Sequence, residues 1–219
     1  MKSFFLRNLL PINILANLLL IFGLALFCCA CGPVAAFFGV AQAVILTIGA
    51  VLKSLATVLT PAEETAITNA VNEVSADLTI ADNTITAYEA DKTGAGLLDA
   101  VKAAVLAITN SLPQLIAAAN IGNPTIKAWI NAVAAAVGAA ITAVTTLIIP
   151  ALGPAVAARS AGDKTKMESL GVQLNAITAK LKADHAAALD ASGLSAESKA
   201  AGNKFFNDKT AHHFLHIKV

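Results

Sequence analysis

The sequence predicts an all-α fold: a bundle of four to five long antiparallel helices behind an N-terminal apolar export helix. Three observations carry that reading. Alanine supplies much of the 57% hydrophobic content, and alanine is the best helix former. Beyond residue 33, apolar side chains recur at alternating steps of three and four, the period of a helix with one packed seam. Between the periodic segments stand proline, glycine and asparagine clusters of the kind that end one helix and cap the next. These boundaries divide the chain into 1–31, a signal peptide or membrane anchor; 32–193, the helical bundle; and 194–219, a short C-terminal helix and tail.

Composition narrows the function classes. A net charge of +1 lacks the basic field that displaces counterions from phosphates. Aromatics at 5% are too few to build base-stacking platforms. A nucleic-acid partner is therefore not expected. Charged residues make up 13%, about half the usual share of a soluble domain, and the mean hydropathy lies toward the membrane end. Charge placement adds to this. None appears between Arg7 and Lys53 or between Lys127 and Arg159, and each gap exceeds the roughly 20 residues of a membrane span.

The first element is the export segment. Lys2 and Arg7 precede LLPINILANLLLIFGLALF, a positive region followed by an apolar run and small residues, the secretory pattern. The positive end is expected to stay cytoplasmic. LALFCCACGP then closes the run with all three cysteines of the chain. The segment resembles a bacterial lipoprotein signal peptide, in which Leu, a small residue and then Ala or Gly precede a cysteine that is lipidated and becomes residue one. Ala30 before Cys31 and Gly32 after it match that pattern, while Cys28 stands where Leu is expected. The resemblance covers residues 1–31 and implies lipidation at Cys31 and a bacterial cell-envelope location. Two other readings stay open: ordinary cleavage after Ala41-Gln42-Ala43, and an uncleaved helix in which the cysteines act as small apolar residues. Past Cys31 there is no cysteine, so the domain has neither an internal disulfide nor a thiol nucleophile.

Gly32-Pro33 breaks the export helix. From Val34, the apolar positions Phe37/Phe38, Ala41, Val44/Ile45, Ile48, Val51/Leu52, Leu55 and Val58/Leu59 form a seam. Gln42, Thr47, Lys53, Ser54 and Thr57 form a polar stripe that favours a bundle helix over a lipid-facing one. Thr60-Pro61-Ala62-Glu63 is a helix start: Thr60 caps, Pro61 fits the first position, and Glu63 closes the capping box. Ile67, Val71, Val74, Leu78, Ala81, Ile85 and Tyr88 follow as an unbroken heptad seam, with an acidic outer face that includes Glu73 and Asp77.

Asp91 to Gly96 reads as a turn. The next seam is Leu98, Val101, Val105, Ile108, Leu112 and Leu115, with Pro113 expected to kink or split the helix near Asn110-Ser111. Asn120 to Pro124 ends it and caps its successor. The charge-free run 126–149 carries Ile126, Trp129/Ile130, Val133, Val137, Ile141, Val144 and Leu147/Ile148 among alanines and threonines. It reads first as a central bundle helix and second as a transmembrane helix with Trp129 as interfacial anchor. Pro150 and Pro154 end it. A long helix from about Asp163 to Ala191 then presents Met167, Leu170, Leu174, Ile177, Leu181 and Ala188, with a lysine-rich outer face and His185 expected to be exposed. A short helix from about Ser195 to Asn207 precedes a weakly ordered tail.

No phosphate loop, nucleophile elbow or zinc-type cysteine pattern is present. His212 and His216 have the spacing of a metal pair on a helix, but no carboxylate or cysteine accompanies them and terminal segments fray. Glu-x-x-His pairs of the di-metal bundle type are missing. No catalytic residue, metal or cofactor is therefore expected. The leading expectation is a non-enzymatic cell-envelope protein, lipid-anchored at Cys31, with a structural or protein-interaction role. Its expected contacts are the membrane, through the N-terminal lipid or helix, and a helix-mediated protein partner or second copy. The alternatives are a membrane-inserting helical protein of pore or holin type and, third, an apolar-ligand carrier.

Overall fold

The computed structural model describes residues 34, 36–55, 58–90, 96–151 and 162–215, with backbone alone at 88–90, 97–98, 148–151, 162–168 and 212–215. Among them are six helices and no strand, an all-α bundle. α1 spans 36–54. It is followed by α2 (Pro61–Ala90), α3 (Leu97–Ala118), α4 (Pro124–Ala151), α5 (Gly162–Ala191) and α6 (Ala196–Leu215). α2 packs on α3, α3 on α4, α4 on α5 and α5 on α6.

The caps form at the residues the sequence marks. Glu63 accepts from the Thr60 amide at 2.9 Å and hydroxyl at 2.8 Å, while the Glu63 amide donates to Thr60 Oγ1 at 3.3 Å. A second Glu63 oxygen accepts the Gly122 amide at 3.2 Å, tying the α3–α4 turn to the start of α2. These bonds hold the Glu63 carboxyl below its ordinary pKa, the Thr60 amide contributing most. Asn123 Oδ1 caps α4 by accepting the Thr125 and Ile126 amides. Ser195 Oγ caps α6 by accepting the Ser198 amide. Gly193, at φ +65°, takes the left-handed turn between α5 and α6 that a side chain resists.

Burial follows the expected seams. Ile67, Val71, Val74, Leu78, Ala81 and Ile85 of α2 are buried, as are Val101, Val105, Ile108, Leu112 and Leu115 of α3. On α4, Ile126, Trp129, Ile130, Val133, Val137, Ile141 and Val144 face the core. Each such side chain, fully buried, contributes about 1.5–3 kcal/mol of transfer free energy.

The structure refines these expectations at four points. α1 is the most enclosed helix: no residue from 36 to 52 is exposed, whereas α4, packed on α3 and α5, turns Ala128, Ala132, Ala135, Ala139, Thr142 and Thr146 outward. α4 has its large residues on one face only, while α1 carries them all round. The polar stripe on α1 is divided: Lys53 and Ser54 are exposed at its end, whereas Gln42 is half-buried and Thr47 buried. Gln42 donates to Ser75 Oγ and Thr79 Oγ1 on α2, at 3.2 and 2.8 Å. Thr47, fully buried, donates to the Ala43 carbonyl at 2.7 Å. Third, α3 is not split at Pro113, which lies inside the helix. Pro113 and Thr109 are exposed, so the carbonyl deprived of its amide donor can turn to water. Finally, α6 is 20 residues long and continues past Asn207, because Phe206 and Thr210 extend its buried face.

Candidate functional site

Among the described residues, the chemistry-bearing side chains named above do not converge. Cys31 lies outside the described residues, as does His216. His212 and His213 fall on the last turn of α6, where only the backbone is described. Glu73 is exposed and Asp77 half-buried on the outer side of α2. Trp129 is a core aromatic, its Nε1 lacking a hydrogen-bond partner. Among the described residues no three His, Cys, Asp or Glu side chains are grouped to hold a metal.

Two features remain as candidates, and both involve α1. The first is membrane-scale apolar length. Among the described residues, three helical segments are long and apolar enough to cross a bilayer: Ala36–Ser54, Asp99–Ala118 and Pro124–Leu147. Their burial differs sharply, 72% for the first and 39% for each of the others. α1 is enclosed by its neighbours, while the α3–α4 hairpin shows one apolar flank to the outside, including Leu106 and Ile116 of α3.

The second is the junction where α1, α5 and α6 meet. Ser54 donates to Ser198 Oγ at 2.9 Å, and Ser198 Oγ lies 2.9 Å from Ser195 Oγ. One turn further along α6, Gly202 lets the helices close: a Cβ there would stand 2.9 Å from Val51 Cγ2, 3.2 Å from Leu189 Cδ2 and 3.3 Å from Thr47 Cγ2. One turn beyond that, Phe206 stacks on His185 of α5, ring centroids 4.6 Å apart and tilted by 47°. Comparison with protein-family models, curated proteins and solved structures finds no match. Any functional reading therefore rests on this chain's own residues.

His185 is the residue that sequence reasoning placed wrongly. It is 1% exposed, and neither ring nitrogen has a hydrogen-bond partner. Burial pulls its pKa down from 6.5 to about 4, because the protonated ring would lose its hydration without gaining an acceptor. The signal was in the register. His185 stands four residues after Leu181 and three before Ala188, on the seam itself.

Proposed function

We propose that this chain is a non-enzymatic helical-bundle protein of the bacterial cell envelope, held at the membrane by a lipid on Cys31, with a structural or protein-interaction role. The observation that supports this reading best is the enclosure of α1. The most hidden apolar helix is spent on the core of the bundle, which leaves membrane attachment to the segment that precedes it. Intact mass spectrometry of the protein extracted from membranes tests the anchor. The expected species begins at Cys31 and carries a diacylglyceryl adduct. A Cys31→Ala variant that matures and localises like the parent sinks the proposal.

The second reading, a membrane-inserting helical protein, draws on the α3–α4 hairpin. Its segments of 20 and 24 residues are apolar and only 39% buried, and no charge lies between Lys127 and Arg159. Dye release from lipid vesicles separates the two. An anchored interaction protein leaves vesicles sealed, and an inserting one empties them.

A further inference from the structure

We propose that His185 is an acid-sensitive latch: protonation of its imidazole releases α6 from the faces of α5 and α1 that it covers. This goes beyond the function proposed above and does not depend on how the chain is anchored.

The argument begins with how α6 is held. Its buried face is a single row at four-residue steps: Ser198, Gly202, Phe206 and Thr210. Two of those four are small, and Thr210 satisfies its hydroxyl within its own helix, on the Phe206 carbonyl at 2.9 Å. Phe206 is thus the one large apolar group in the row, and the ring beneath it is His185. A neutral imidazole is an acceptable aromatic partner for Phe206. An imidazolium in the same place is a buried cation with two N–H donors and no acceptor, the arrangement buried groups avoid.

Among the described residues, no carboxylate hydrogen-bonds the ring from the helices that pack there. α1 has no charged residue from 34 to 52, and α4 has none after Lys127. On α6, Lys199 donates to the Asp190 carbonyl, Lys204 pairs with Asp208, and Lys209 lies over Phe205. On α5, Asp184 pairs with Lys180, and Asp190 is exposed. Lys182, one turn before His185, is half-buried and has an interaction partner of its own. The downward pKa shift of His185 is consistent with this geometry. The proton comes from solvent, and the ring is stabilised as a cation only when water reaches it. Water reaches it when α6 swings away, which also bares Thr47 and Val51 of α1.

Hydrogen–deuterium exchange on the full chain, solubilised from membranes and followed from pH 7.5 to 4.5 with intrinsic rates corrected, tests the latch. The amides of 198–210 are expected to lose protection by roughly tenfold per pH unit once the pH is below the ordinary histidine value, the slope of one linked proton. The amides of α2 and α3 are expected to keep theirs. His185→Leu removes the response while α6 stays docked. A variant with His212, His213 and His216 all changed to Gln retains it. If His185→Leu does not fold, the His185 ring titration followed by NMR in the parent protein decides: its midpoint must coincide with α6 opening. Unchanged α6 protection down to pH 4.5, simultaneous opening of α2 and α3, loss of the response in the triple variant, or midpoints that differ would each overturn the proposal.

Discussion

Gly202→Ala sets two effects of opposite sign against each other. Alanine in the interior of a helix is favoured over glycine by about 1 kcal/mol. Against that, the new Cβ would stand 2.9 Å from Val51 Cγ2 and 3.2 Å from Leu189 Cδ2. Neither neighbour yields cheaply. Val51 and Leu189 are fully buried, and a β-branched side chain on a helix has one strongly preferred rotamer. Overpacking of this kind costs about 1–3 kcal/mol, and the close Val51 contact puts this site toward the upper end. The expected net loss is about 1–2 kcal/mol. Gly138→Ala on α4 is the internal control, because its Cβ would meet only Leu112 Cδ1 at an ordinary 3.6 Å. There the helix propensity acts alone, and a gain of about 1 kcal/mol is expected. Thermal unfolding followed by far-UV circular dichroism reads both, at about 2–4 °C per kcal/mol for a chain of this size. If Gly202→Ala raises the melting temperature as Gly138→Ala does, α6 does not approach α1 as described.

Other outcomes follow from the same geometry. His185 has a lower pKa folded than unfolded, so stability is highest above pH 6.5 and falls as the pH drops toward 4; the full difference is about 3 kcal/mol. Denaturant titrations at pH 7.5, 5.5 and 4.5 should show that fall, and His185→Leu should flatten it. Thr60→Ala removes the cap of α2 and is expected to cost about 1 kcal/mol, with Thr60→Ser nearly neutral in the same denaturant titration. Glu63, whose carboxyl is held below its usual pKa, adds stability above its ordinary pKa of 4.5 that is lost as the pH falls further. Glu63→Gln should remove that acid-limb dependence.

Much of the fold was legible because its seams are built from large side chains. The α2 row from Ile67 to Ile85 is buried without exception, and the caps at Thr60 and Asn123 form as their sequences dictate. The centre of the bundle was not legible. Gln42 and Thr47 read as part of a polar stripe, but one bonds across to α2 and the other bonds back to its own helix. A polar side chain satisfied in either way can be buried, and sequence alone does not say which will be. The full length of α6 was hidden for a related reason. A row of Ser198, Gly202, Phe206 and Thr210 has the right spacing but little hydrophobic contrast. His185 was the reverse case, polar by type and placed on the seam by its number. Cys31, the proposed anchoring site, falls outside the described residues and was read from its sequence pattern only.

The hydrogen bond from Ser54 to Ser198 joins residues 144 apart in the chain, and that distance has a consequence in time. Chains are synthesised at about 5–20 residues per second, so α1 emerges on the order of ten seconds before the helix that closes over it. For that interval a segment with the length and apolarity of a membrane span has no C-terminal cover. A bilayer beside the emerging chain would therefore compete with a helix not yet made. Slowing synthesis between α5 and α6, or truncating the chain before Ala196, should shift α1 toward the lipid side of that race, which makes the order of synthesis part of what decides where this helix ends up.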